Sequence, residues 1–185
     1  MDSRSDSLAV RRAVPADAAA LSELGTATFV EAFGHLYSPQ DLQEFLSRAH
    51  SVQMYERLLR DPDVAIWLAT PDLAPPVGYI VAGLCKLPVP NLEPKAGEIR
   101  RLYVRTTEQS GGLGTRLLKI ALGWLGTAGF GPIYVGVWSA NFGAQRLYER
   151  FGFEKIGAYE FFVGKQRDHE FIFKQARTAS ADARR

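Results

Sequence analysis

The chain has 185 residues, 46% of them hydrophobic and 23% charged, with a net charge of +2. That length suits one domain and that composition a globular one, and the charge is too small and too scattered for a nucleic-acid surface. No apolar run approaches the ~18 residues of a membrane span, and the amino-terminal MDSRSDS lacks a signal-peptide core.

In chain order, Met1 to Ser7 is polar and expected to be disordered. Leu8 to Ala13 reads as a strand. Pro15 stands where a helix starts, and Ala16 to Phe33 are good helix formers apart from Gly25. Ser38-Pro39-Gln40-Asp41 is a helix start, with a Ser N-cap, Pro in the first position and an acid in the first turn. Leu42, Phe45 and Leu46 share one face of that helix. Ser51 caps a second short helix, Val52 to Arg60, which Asp61-Pro62-Asp63 ends. Val64 to Thr70 and Val77 to Leu87 read as an antiparallel hairpin. The single cysteine, Cys85, lies in the second run and reads as a small buried apolar residue rather than a nucleophile. One cysteine excludes an internal disulfide and suits a cytoplasmic protein. His35, His50 and His169 lack metal spacing, so no metal site is expected.

A loop with three prolines, Pro88 to Lys95, leads to the strand Glu98 to Val104. The helix Gly112 to Ala128, the strand Ile133 to Trp138 and the helix Gly143 to Arg150 follow. A last hairpin, Phe153 to Val163 with Glu170 to Phe173, turns around Gly164 to His169. The order predicts an α/β sandwich with a mixed sheet. The domain is read as residues 8–174, and residues 175–185 as a disordered tail.

The stretch Glu98 to Lys119 carries the chemistry. A strand runs through Gly111-Gly112-Leu113-Gly114 into a helix on which Leu117, Leu118, Ala121, Leu122 and Leu125 recur at helical spacing. The first N–H groups of a helix lack internal partners and sit at the positive end of its dipole. Glycines let a ligand approach the backbone. Together they form a pocket for phosphate or pyrophosphate. A P-loop needs Lys-Ser/Thr after the last glycine, where Thr115-Arg116 stands. A dinucleotide fingerprint needs a third glycine, where Leu117 stands. What fits is Gln109-x-x-Gly112-x-Gly114 after a strand ending in Val104. About 30 residues on, Asn141-x-x-Ala144-x-x-x-Tyr148-x-x-x-Gly152-Phe153 follows a second strand.

These two motifs, in this order, resemble those of the GNAT superfamily of N-acetyltransferases. The resemblance implies a three-layer sandwich whose central sheet of six to seven strands is mixed and mostly antiparallel, flanked by about four to five helices. It implies acetyl-CoA as co-substrate. The pyrophosphate would meet the backbone N–H groups of Gln109, Ser110, Gly111, Gly112, Leu113, Gly114 and Thr115. The pantetheine arm would pair with the backbone of Leu102, Tyr103 and Val104. Asn141 would contact that arm, cap the short helix, or do both. Tyr148 matches the family's proton donor to the departing thiolate, or a residue that positions the sulfur. Its other reading is a packing tyrosine. An N–H near Val104 would meet the oxyanion.

Glu98 has two readings. By alternation it shares a strand face with Arg100, Leu102 and Val104, and in some members a glutamate there is the base. Otherwise it is a strand-end carboxylate paired with Arg100 or Arg101. Glu31, Glu93 and Glu160 are weaker candidates. Phe29, Phe33 and Tyr37 would line the acceptor pocket, or pack the first helices onto the sheet. Thr106 and Ser110 depart from the proline and glycine of many relatives. The segment Gly157 to Gly164, with Phe173 and the early aromatic pattern, is similar to the branch containing polyamine acetyltransferases. A polycation would want carboxylates such as Glu31, Asp41, Glu44 and Glu98. Peptide amines and amine-bearing antibiotics or herbicides are the other acceptors. A homodimer is compatible with the exposed last hairpin. The competing class is a non-catalytic acyl-CoA-binding sensor, which needs only Gln109 to Thr115.

Overall fold

The structure, a computed structural model, describes residues 8–72 and 74–175. The segment 1–7 and residues 176–185 of the expected tail lie outside the described residues. Seven strands lie side by side in the order β1 (Leu8–Arg12), β2 (Val64–Pro71), β3 (Gly78–Leu84), β4 (Gly97–Val104), β5 (Ile133–Trp138), β7 (Gln166–Gln175) and β6 (Glu154–Val163). All neighbours are antiparallel except β4 and β5. The apolar stretches of β2 and β3 are buried on both faces, which is why they read as unbroken runs.

On one face lie α1 (Ala18–Phe33), α2 (Pro39–Ala49) and α3 (Val52–Arg60). Leu21, Leu24 and Tyr55 pack there against Ile66, Leu68, Tyr79 and Val81. On the other lie α4 (Leu113–Thr127) and α5 (Phe142–Arg150). Leu117, Leu118, Ala121 and Leu125 pack there against Ile80, Ile99, Val135 and Val137. This is the three-layer sandwich, with seven strands and five α-helices among the described residues. The capping chemistry works as read: the Ser38 hydroxyl accepts from the Asp41 N–H at 3.1 Å, and Ser51 from Met54 at 3.2 Å.

The decisive irregularity is in β4. Val81 of β3 faces Arg101 while Ala82 faces Ile99, so Arg100 is an extra, bulged residue. A bulge bends a strand and increases its twist. Past it, β4 leaves β5: the parallel pairing consists of Gly97 with Ile133 and Glu98 with Tyr134. The bulge also overturns the alternation expected for Glu98. Ile99, Leu102 and Val104 all face the α4 side, whereas Tyr103 faces the α1 side. Glu98 therefore shares its face with Tyr103, not with Leu102 and Val104.

Several strand ends differ from the sequence reading, β3 and β7 most. β3 stops at Leu84, and the Cys85 N–H turns to the Ala96 carbonyl at 2.8 Å. β7 begins at Gln166, because Gly164-Lys165 makes the hairpin turn with Gly164 at φ +58°. Its polar start, Gln166 to His169, had read as loop. β7 also runs through Gln175, which pairs with Ile133, one residue past the expected domain end.

Gly25 has a tertiary reason. A Cβ there would collide with the Tyr55 hydroxyl and His50 Nδ1 and sit 3.0 Å from the Tyr79 hydroxyl. Those groups are already joined: His50 Nδ1 to Tyr55 Oη at 3.0 Å, and Tyr55 Oη to Tyr79 Oη at 3.0 Å. Gly25→Ala is expected to lower the thermal unfolding midpoint, costing about 1–3 kcal/mol through overpacking. This loss outweighs alanine's advantage in a helix, ~1 kcal/mol. An unchanged or raised midpoint would show that the helix simply moves aside.

Candidate active site

Where β4 and β5 part, a cleft of about 560 Å³ opens through the sheet, lined from both of its faces. Its walls come from β4, β5, β7, α1 and α5. Of the residues singled out from sequence, Phe29, Phe33, Tyr37, Glu98, Leu102, Tyr103, Asn141 and Tyr148 line it. Val104 and Gln109 to Thr115 follow β4 out of the cleft toward α4.

The glycine loop has the shape its sequence requires. Gly112 has φ +78°, and Cβ atoms built on Gly112 or Gly114 meet nothing within 4 Å. Space therefore lies open over the amino end of α4. No side chain caps that end. The Arg116 N–H bonds to the Gly112 carbonyl at 3.0 Å, so the N–H groups just before it have no helical acceptor. Leu113 is buried among the α4-side core residues and anchors the loop. Ser110 has φ +71°, a conformation glycine takes more readily, which accounts for the glycine that many relatives carry there. Gln109 plays another part than its neighbours. Its side-chain amide donates to the Val104 carbonyl at 3.0 Å, and its own N–H reaches the Thr106 carbonyl at 3.4 Å. It closes the loop onto β4, and the run of open N–H groups starts after it. Glu31 holds the same loop from α1, pairing with Arg105 at 2.8 Å and accepting from the Thr106 N–H at 3.2 Å.

At the fork stands Tyr148, on α5 and 5% exposed. Its ring packs edge-on against Phe153 at 5.5 Å, and its hydroxyl has no hydrogen bond among the described residues. Burial, and then the neighbouring Tyr103, push its pKa up, so the phenol stays protonated. Asn141 is the cap of α5: its Oδ1 accepts from the Ala144 N–H at 3.0 Å, which leaves its NH₂ free to donate.

Aromatic rings form the wall across from the sheet. Phe29 is buried and touches Phe33, Tyr37 and Phe45, with centroids 5.2, 6.0 and 4.7 Å away. It thus packs the helices together and lines the cleft as well. Phe33 lies edge-on to both Tyr103 of β4 and Trp138 of β5, spanning the gap between the parted strands.

Glu98 is 8% exposed, and its Oε2 accepts from the Lys86 N–H at 2.6 Å. The expected pairing with Arg100 or Arg101 does not form. Arg100 donates to the Leu84 carbonyl at 2.6 and 3.2 Å, and Arg101 donates to Ala49 at 2.8 Å beneath the Tyr55 ring. Burial raises the pKa of Glu98 above the ordinary glutamate value.

Two carboxylates missed in the sequence stand on the opposite wall. Asp168 is 8% exposed and accepts from the Tyr37 hydroxyl. Glu170 accepts from the Tyr159 hydroxyl. Burial, joined by the charges of Asp168 and Glu98, raises the Glu170 pKa despite that bond. The missed signal was the two-residue turn at Gly164-Lys165, which puts Asp168, Glu170 and Ile172 on one face of a longer strand. The carboxylates proposed from sequence are engaged elsewhere, Glu98 excepted. Glu31 holds Arg105, Asp41 accepts from the Lys165 N–H, and Glu44 pairs with Arg48 in solvent. Glu93 meets Lys174, and Glu160 meets Arg167. Cys85 is buried outside the cleft lining, and burial pushes its thiol up to about 11. No helix of the described residues is long and apolar enough to cross a membrane.

Comparison with known proteins agrees with this geometry. Residues 28–153 match the Acetyltransferase (GNAT) family model. A Lactobacillus delbrueckii subsp. lactis protein, an uncharacterized N-acetyltransferase in the pepI 3' region, is 29% identical over 157 residues, which cover 80% of this chain and 86% of that one. The paia N-acetyltransferase of Thermoplasma acidophilum, solved in complex with coenzyme A, superposes with a TM-score of 0.72 at 17% identity, covering 92% of this chain and 99% of that one. A ribosomal-protein-alanine N-acetyltransferase of Brucella melitensis gives 0.68 at 20% identity, covering 91% and 99%. At such identities the structural likeness is one of fold. The family match spans the parted strands and both motifs, and the chain belongs to the acetyltransferase (GNAT) family.

Proposed function

We propose that this enzyme transfers an acetyl group from acetyl-CoA to a primary amine, by direct attack in a ternary complex. The observation that carries this reading is the placement of Tyr148 and Glu98. An unpartnered, protonated hydroxyl and a buried carboxylate line one cleft between parted strands. The residues present fit the co-substrate. Open space over Gly112 and Gly114, the uncapped end of α4 and the unpaired edge of β4 would take pyrophosphate and pantetheine. The N–H groups from Ser110 to Thr115, the backbone of Leu102 to Val104 and the Asn141 amide are the holding groups. When bound, acetyl-CoA supplies an acetyl group activated as a thioester.

The protein's own residues do the rest. Glu98, with its raised proton affinity, takes the proton from the acceptor ammonium, directly or through water. A nitrogen–carbon bond forms and the carbon–sulfur bond breaks. Tyr148 gives the sulfur a proton, and the second proton that the nitrogen sheds on becoming an amide restores the phenol through solvent. A backbone N–H near Val104 meets the oxyanion. Cys85, a neutral thiol outside the cleft lining, supports a route without an acyl-enzyme. The acceptor is a small amine such as a polyamine, or a peptide amine.

Thiol release from acetyl-CoA in the presence of an amine panel tests the reaction. Tight donor binding with no thiol release for any amine in the panel would favour a sensor instead. Tyr148→Phe is expected to lower kcat by about 10²-fold, the lower range for a lost general acid, with donor affinity nearly unchanged. Equal turnover would remove Tyr148 from the chemistry. Gly114→Val should weaken acetyl-CoA binding by about tenfold or more, ~1.4 kcal/mol. Its unfolding midpoint should hold, since the new side chain meets only open space. A carbon-detected NMR titration should place Glu98 and Glu170 above the usual glutamate value of 4.5. As pH rises through the Glu98 midpoint the base forms, so kcat/KM should rise there, and Glu98→Gln should abolish that limb. Midpoints at or below 4.5 would show that burial does not set these groups.

A further inference from the structure

The acceptor side of the cleft is more selective than an amine pocket needs to be. Asp168 and Glu170 are successive residues on one face of β7, so their Cα atoms stand about 7 Å apart. Each holds one tyrosine hydroxyl, Tyr37 on Asp168 and Tyr159 on Glu170, and each has a second oxygen without a hydrogen bond among the described residues. No ion pair among the described residues involves Glu98, Asp168 or Glu170. Arg100 and Arg101 are committed to backbone carbonyls, and Lys86 is exposed at the Glu98 end. No cation is ion-paired to this wall, although the Arg100 guanidinium acts on its Glu98 end, and in a partly dry site a carboxylate without an ion pair is costly. Phe33, Trp138 and Phe161 present rings to the same space, and ring faces attract cations.

A second feature independently marks a ligand here. The Tyr148 hydroxyl, on a side chain only 5% exposed, is aimed into the cleft without a partner. It fixes the reacting end, and the β7 carboxylates then lie along the remainder of the acceptor. Carboxylates only accept hydrogen bonds. They offer nothing to the carbonyl oxygens of a peptide and repel the carboxylate of an amino acid. The cleft volume of about 560 Å³ is that of a small-molecule site.

We infer that the acceptor is an oligoamine: besides the amine that is acetylated it carries at least one further ammonium group, received by Asp168 and Glu170. This inference rests on the amine-acetylation reading and names its substrate class. The tyrosines are positioning residues, each holding one oxygen of its carboxylate so that the other faces the cleft.

The test is calorimetric binding of 1,4-diaminobutane and n-butylamine, which differ by one ammonium group, to the full chain. The diamine is expected to bind at least about tenfold more tightly, ~1.4 kcal/mol. Asp168→Asn should cut the diamine-over-monoamine ratio by about tenfold. Asparagine still offers Tyr37 an acceptor, and an unchanged unfolding midpoint would show the fold intact. Glu170→Gln is the second variant and should act in the same direction. Equal affinity for the two amines, or a ratio unmoved by both variants, overturns the inference. Thiol release with the same amines separates the two claims. Selective binding without release would overturn amine acetylation while supporting the cation site. Release at equal kcat/KM for both amines would leave an acetyltransferase and overturn the oligoamine assignment.

Discussion

One extra residue in one strand shapes this molecule. Arg100 has no partner in β3, and the strand that contains it cannot stay flat against both neighbours. Antiparallel pairing with β3 continues on both sides of the bulge, so the strain falls on the parallel side, where hydrogen bonds are slanted and slightly weaker. β4 and β5 keep two paired positions and then separate. Opening a sheet in this way leaves backbone donors and acceptors unpaired, which is costly unless something pairs with them. The guanidinium of Arg100 turns back to the Leu84 carbonyl where β3 ends, which ties down the base of the fork.

The fork needs a roof, and the helices supply it through polar ties to distant parts of the chain. Phe33 meets Tyr103 and Trp138 across the gap. Glu31, two residues earlier on α1, holds Arg105 and the Thr106 N–H, so the helix that roofs the cleft also holds the loop leading to α4. At the other end, Asp41 accepts from the Lys165 N–H in the β6–β7 turn, and Phe45 packs edge-on to Phe161. The polar ties among these, one of them an ion pair, are exposed and add little to stability. Their effect is positional: α1 and α2 are referenced to both ends of the cleft.

Inside it, desolvation is the leading electrostatic effect. Glu98, Glu170 and Tyr148 all have pKa values raised chiefly by burial. Each therefore holds its proton more firmly than it would in water. In the reaction proposed above, that strengthens Glu98 as a base toward an ammonium, and it keeps the Tyr148 phenol protonated until a thiolate forms beside it. His50, buried behind the aromatic wall, is held neutral by the same physics, its pKa depressed to about 3 by burial and then by the charge of Arg101.

Much of this was legible from residues alone. The glycine loop announced itself because a positive φ at Gly112 and an uncapped helix start are local requirements, written within a few residues of one another. The caps at Ser38 and Ser51 and the alternation of helices and strands are local in the same sense. What the sequence could not show were relations between strands. The face of Glu98 was misassigned because alternation assumes an unbroken strand, and a bulge is defined only against a partner. Asp168 passed unnoticed because four polar residues after a turn look like loop until β6 pairs with them, and Glu170, read as the start of a strand, had no visible partner on its buried face. Short-range sterics and an uncapped helix start define the glycine loop, so the sequence alone carried it. The aromatic and acidic wall of the cleft is assembled from side chains as far apart as Tyr37 and Asp168, and only the tertiary structure decided it, because burial and charge proximity belong to no single segment of the chain.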